Sequence, residues 1–131
     1  MSNASIATQK RRSVLVVEDD RGIAQGLRAL LISRGFVVDV EADPDAALRR
    51  VSERTYHVVV ADFDLGDQDG LDLVRRVRDL CPKLPILAVT AIDRADALRA
   101  SEDLELQGCF EKPVDPEQLM DAVTSSALDD R

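Results

Sequence analysis

Three short runs constrain this chain more than anything else in it: Val14–Val17, Val58–Ala61 and Pro85–Val89. Each is almost continuously apolar, rich in Val, Leu or Ile, and too short for a helix. Strands without polar alternation are buried on both faces, the habit of a parallel sheet covered by helices. A fourth run, Phe36–Val40, alternates more and suits an edge strand. A short fifth lies around Cys109–Glu111, just before Lys112-Pro113.

Helical signals fill the gaps. Ile23, Leu27, Leu30 and Leu31 share one face over residues 20–34, and Gly35 ends the pattern. Asp43-Pro44 and Asp115-Pro116 are helix starts with Pro at the first helical position, followed by Leu48 and Val51 in one and Leu119 and Val123 in the other. Leu71, Val74 and Val77 line a third helix that ends before Pro82, and a fourth is expected over residues 93–102. Strand and helix therefore alternate five times, which predicts an α/β fold of three layers. Right-handed crossovers leave only a few doubly wound topologies.

A chain of 131 residues is one domain's worth, and with 3% aromatics and no Trp its core must be aliphatic. The formal net charge of −8 argues against duplex nucleic acid and against an anionic membrane face, both of which need a basic surface. No apolar run approaches a membrane span. Residues 1–12 read as a disordered polar lead-in, 13–127 as the domain and 128–131 as a tail, with no output domain after the fifth helix.

In a doubly wound sheet, ligands bind outside the carboxyl ends of the strands. The first strand ends in Glu18-Asp19-Asp20, the third in Asp62-Phe63-Asp64, the fourth in Thr90-Ala91 and the fifth in Lys112-Pro113. Crowded carboxylates either raise their pKa or hold a cation. Hard oxygen ligands suit Mg²⁺, and a carboxylate can also be a nucleophile that forms an acyl phosphate. Phosphoryl transfer asks mainly for positioning and charge neutralisation, which a cation and a lysine supply.

The segments VLVVEDD, VVVADFDLGDQDGLDLVRRVR, PILAVTA and EKPVDPEQL resemble the receiver domains of bacterial response regulators from about Ser13 to Ala127. Thr90 follows Asp62 by 28 residues and Lys112 by 50, spacings that fit the family. The resemblance implies a flavodoxin-like five-stranded parallel sheet of order 2-1-3-4-5 with five helices. It implies that Asp62 accepts a phosphoryl group from a sensor histidine kinase or histidine phosphotransfer protein. Asp20 and Asp62 would bind Mg²⁺ (Mn²⁺ as substitute) by their carboxylates, Asp19 would help directly or through water, and the main-chain carbonyl of Asp64 would complete the set. Thr90 would be the switch hydroxyl and Lys112 the partner of Asp62 and then of the phosphoryl group. Pro113 would follow a cis bond, and Gly70 would let the third helix start. Such a domain is a cytoplasmic signalling module rather than a turnover enzyme. It stands alone or forms part of a longer regulator or hybrid kinase, and acts on a downstream protein or as a homodimer through the fourth helix, fifth strand and fifth helix.

Three positions depart from that pattern. Cys109 stands three before the lysine where the family usually has an aromatic, and Phe110 beside it must point to the other face of the strand. Gly66 replaces a common proline, which predicts a freer loop. Glu105 replaces a common glycine, leaving the end of the fourth helix open.

Taken singly, each group has an ordinary explanation: an Asp before a helix is a good N-cap, and most lysines lie on the surface. The set in order points to chemistry. His57, the only histidine, falls at the opposite edge from the acids and reads as a strand-edge residue. Asp67, Asp69 and Asp72 read as turn and helix-start acids, and Arg75, Arg76 and Arg78 as a solvated face. Cys81 and Cys109 lack metal-type spacing and read as reduced thiols. A pure interaction module would usually lack some of the acids or the lysine. A flavin-binding protein would need a hydroxyl-rich phosphate loop, and Glu18-Asp19-Asp20 would repel that phosphate.

Overall fold

The computed structural model describes residues 11–65, 68–91 and 94–128. Most of the expected lead-in, the Gly66-Asp67 dipeptide, Asp93 and residues 129–131 lie outside them. Five strands, β1 (Ser13–Val17), β2 (Val37–Glu41), β3 (Val58–Asp62), β4 (Ile86–Thr90) and β5 (Gly108–Glu111), pair in parallel in the order 2-1-3-4-5. Five helices alternate with them: α1 (Arg21–Ser33), α2 (Pro44–Glu53), α3 (Gly70–Leu80), α4 (Arg94–Asp103) and α5 (Pro116–Leu128). A two-residue antiparallel ladder joins Asp64–Leu65 to Gln68–Asp69 between β3 and α3.

The pleat sorts the apolar runs onto two faces. Leu15, Val17, Val59, Ala61, Ile86 and Ala88 pack with Ala47 and Val51 of α2, Leu73, Val74 and Val77 of α3, and Ala100 of α4. Val14, Val16, Val58, Val60, Leu87 and Val89 pack with Leu31 of α1 and Leu119, Met120 and Val123 of α5. This two-sided burial is why the central strands carry no polar alternation. Cys109 joins the first cluster and Phe110 the second, so the only ring in β5 lies on the far face from the position the family usually fills.

Local chemistry sets the boundaries. Asp20 caps α1 by accepting the Ile23 N–H (3.0 Å), and Asp43 caps α2 by accepting that of Ala46 (3.0 Å). Gly35 follows α1 at φ +93°, where a side chain would be strained. Within α1 the expected inward face is rotated. Ala24 and Leu31 are buried, whereas Ile23 and Leu30 are 48% and 37% exposed, because the helix packs on the sheet along its Ala24–Leu31 line.

The expectation of a solvated arginine face fails at Arg78. Its guanidinium donates to the carbonyls of Leu84 (2.7 Å), Pro82 (3.0 Å) and Cys81 (3.1 Å) beyond α3, and to those of Leu104 (2.9 Å) and Glu105 (3.2 Å) beyond α4. The Arg fork thus satisfies carbonyls at two helix ends at once.

Glu105 answers the open question about α4. It sits at φ +54°, and the Leu106 N–H returns to the Ser101 carbonyl (3.0 Å). The chain therefore makes the left-handed turn that suits glycine, at a steric cost of about 1 kcal/mol. Glu105→Gly should raise stability by roughly 0.5 kcal/mol once glycine's unfolded-state entropy is subtracted. The readout is a higher denaturant midpoint at unchanged slope, and a lower midpoint would contradict it.

Candidate functional site

The carboxyl ends of β1, β3, β4 and β5 meet on one edge, as their parallel register requires. Asp62 closes β3, a strand in which every residue is buried, and is itself 3% exposed. A carboxylate so enclosed needs partners. Its Oδ2 accepts from Lys112 Nζ at 2.9 Å and its Oδ1 from the Asp64 backbone N–H at 2.8 Å. Lys112 follows β5 directly, its backbone N–H bonded to the Thr90 carbonyl (2.9 Å), and its bond to Pro113 is cis. Thr90 is buried at the end of β4, one residue beyond the register partner of Asp62, Val89.

The three acids after β1 are placed differently from one another. Asp20 is exposed and its Oδ1 accepts the Ile23 N–H at the start of α1. Glu18 is the residue that the sequence reading passed over. It is 5% exposed, its backbone N–H continues the ladder to the Glu41 carbonyl (3.0 Å), and its Oε2 accepts the Asp20 N–H (3.0 Å). Glu18, Asp19 and Asp62 each offer a carboxylate oxygen, all within 4.8 Å of one another. The signal was present: an acid three residues before Ile23, just ahead of an apolar helical pattern, is a capping position. The acids gathered close to Asp62 are thus Glu18 and Asp19, the two that precede Asp20.

The electrostatics follow from this crowding. Burial, then the Asp62 carboxylate, pushes the Glu18 carboxyl up to about 7, against the Asp20 N–H and Lys112, which favour its charged form. Burial acts to lower the Lys112 ammonium, but its hydrogen bond to Asp62 and the charges of Asp62, Asp64 and Glu18 outweigh this and raise it. An acid with a raised folded-state pKa binds its proton more tightly folded than unfolded. Its contribution is complete below the ordinary value of 4.5 and is lost as pH rises toward about 7. In a chelator, stability should therefore decline between about pH 4.5 and 7. Glu18→Gln should flatten that decline in a pH series of denaturation midpoints; an equal decline in the variant would contradict the assignment.

A groove of about 620 Å³ opens beside the acids, lined by Val16, Val60, Val89 and Leu119 and walled by Ile23 and Leu30 of α1, and it reaches Asp62 and Lys112. A larger hollow, about 780 Å³, is lined in part by His57 on the opposite edge and touches neither Glu18, Asp19, Asp62 nor Lys112. There the His57 Nδ1 accepts the Ser13 N–H (3.0 Å), a strand-edge role.

Comparison with known proteins agrees with the geometry. The family described as "Response regulator receiver domain" matches residues 14–124. The transcriptional regulatory protein DltR of Streptococcus agalactiae is 32% identical over 107 residues, covering 82% of this chain and 48% of DltR, so the chain spans about half of that relative. An "uncharacterized 14.6 kDa protein" of Leptolyngbya boryana is 32% identical over 92% of this chain and 94% of its own length. A CheY-like receiver domain from Methanospirillum hungatei superposes with a TM-score of 0.84 at 21% identity, covering 90% of this chain and 94% of that one, a likeness of fold. With its fold, the order of its acids and lysine, and this match over most of its length, the chain belongs to the response regulator receiver domain family of two-component signalling.

Proposed function

We propose that this domain accepts a phosphoryl group on Asp62 from a histidine-phosphorylated protein and changes its protein contacts in response. The observation that carries the reading is the pairing of a 3% exposed carboxylate with Lys112 Nζ at 2.9 Å, beside two further acids. In the reaction, an oxygen of Asp62 forms a bond to phosphorus as the phosphorus–nitrogen bond of the donor breaks. The leaving imidazole keeps the electron pair and regains neutrality by holding one proton. Lys112 stands where it can follow the charge from the carboxylate to the phosphoryl oxygens, and the buried Thr90 hydroxyl is a donor at the same edge.

The donor set fits a hard divalent cation. Glu18 and Asp62 are buried acids and Asp19 an exposed one, with oxygens close enough to share an ion, and the pKa of the Glu18 carboxyl is raised by its burial and then by the neighbouring Asp62. Those three carboxylates, with the main-chain carbonyl of Asp64, would hold Mg²⁺ or Mn²⁺, which would neutralise charge on the transferred group. Asp20 caps α1 through Oδ1, and its second oxygen is the remaining candidate ligand among these acids. The exposed Ile23 and Leu30 beside the groove suit contact with a donor protein.

Incubation with Mg²⁺ and acetyl phosphate should add one phosphate to the intact protein by mass spectrometry. Asp62→Asn should add none. A wild type that gains no mass would overturn the reading.

A further inference from the structure

The side chain of Asp64 has a part of its own. Its Oδ2 accepts the Ala91 backbone N–H at 2.7 Å and lies 3.4 Å from Lys112 Nζ, while its own N–H is bonded to Asp62 Oδ1 at 2.8 Å. The residue thus touches the acceptor with its backbone and ties down the first residue after Thr90 with its carboxylate. Lys112 is shared, at 2.9 Å from Asp62 and 3.4 Å from Asp64. A phosphoryl group added to Asp62 brings further negative oxygens to this cluster. Those oxygens seek the cation and N–H donors nearby, and Asp64 already holds two of them.

Resting on the reading of Asp62 as acceptor, we propose that the Asp64 carboxylate is a positioning group that stands in for the phosphoryl group in the unmodified domain. It holds Ala91 and part of Lys112 in place, and it must yield both when Asp62 is phosphorylated. Two anions that compete for the same two donors at such short range repel each other. The exchange gives the segment after β4 a direct link to the state of Asp62. This route needs no ring at position 109, where the chain has Cys109.

The test compares Asp64→Asn and Asp64→Ala with the wild type. Asparagine keeps an acceptor for Ala91 but loses the charge; alanine loses both. Both keep the backbone N–H and carbonyl. In the unmodified protein, the Ala91 amide should exchange with solvent about tenfold faster in Asp64→Ala than in wild type, and near the wild-type rate in Asp64→Asn. Titration with beryllium fluoride and Mg²⁺, a phosphoryl analogue on Asp62, should show both variants binding about three- to tenfold more tightly than wild type. Equal analogue affinity in all three proteins, or unchanged Ala91 exchange in Asp64→Ala, would overturn the proposal while leaving Asp62 as acceptor. A wild type that binds no analogue and takes no phosphate would overturn the acceptor reading itself and this proposal with it.

Discussion

Lys112→Ala should slow phosphoryl uptake from acetyl phosphate by about a hundredfold or more, the loss usual when a single preorganised charge donor is removed from a transfer site. Among the described residues, Lys112 is the cation within 4.0 Å of Asp62 and Asp64. Its removal also leaves Glu18 and Asp62, 5% and 3% exposed, facing one another without that charge. Breaking a buried pair costs several kcal/mol when both partners are enclosed. Lys112 is itself 29% exposed, so a loss of about 1–2 kcal/mol at neutral pH is expected in chelator. Mg²⁺ should restore part of that stability, because a cation held by the same acids replaces the missing charge, and it should restore much less of the uptake rate. Time-resolved intact mass and denaturation with and without Mg²⁺ separate the two effects. Uptake within about threefold of wild type would show that Lys112 is only a structural partner.

Gly70→Ala should have the largest effect on folding. A Cβ built at Gly70 would stand 2.5 Å from the Asp62 carbonyl oxygen, 2.6 Å from Phe63 Cα and 2.7 Å from the Phe63 carbonyl oxygen. These are backbone atoms of the strand end that carries Asp62, so no rotamer can relieve the clash. The cost should reach about 3 kcal/mol or more, and the displaced strand end should also impair phosphorylation in whatever fraction folds. Gly26→Ala is the control. Nothing lies within 4 Å of a Cβ there, in the middle of α1, so this variant should gain roughly 0.5–1 kcal/mol from helix propensity. A Gly70→Ala protein as stable as Gly26→Ala would refute the close approach of α3 to the β3 end.

Much of this molecule is written in its apolar pattern. The runs at Val14–Val17, Val58–Ala61 and Pro85–Val89 are strands within a residue, because two-sided burial leaves an unmistakable composition. The helix starts at Asp43-Pro44 and the stop at Gly35 are equally local signals. What local pattern could not supply is orientation. Three acids in a row after β1 look alike, and only the turn into α1 decides that Glu18 points into the cluster while Asp20 caps the helix. Arg78 looked like a surface charge because its partners are backbone carbonyls, in the loop just after α3 and at the distant end of α4, to which composition is blind. The α1 face was misjudged for a related reason: Ile23 and Leu30 satisfy helical periodicity, yet they border a groove rather than the sheet. Asp64 was named for its carbonyl; its carboxylate gains meaning only when β4 brings Ala91 to it.

The central claim is that Asp62, and no neighbouring acid or hydroxyl, carries the phosphoryl group. Phosphorylation with acetyl phosphate and Mg²⁺, followed by borohydride reduction, converts an aspartyl phosphate to homoserine and marks the residue permanently. Peptide mass mapping should find homoserine at position 62 alone, and none without donor or without divalent cation. Homoserine at Asp19, Asp20 or Asp64, phosphate retained on Thr90, or no modification at all would contradict the account.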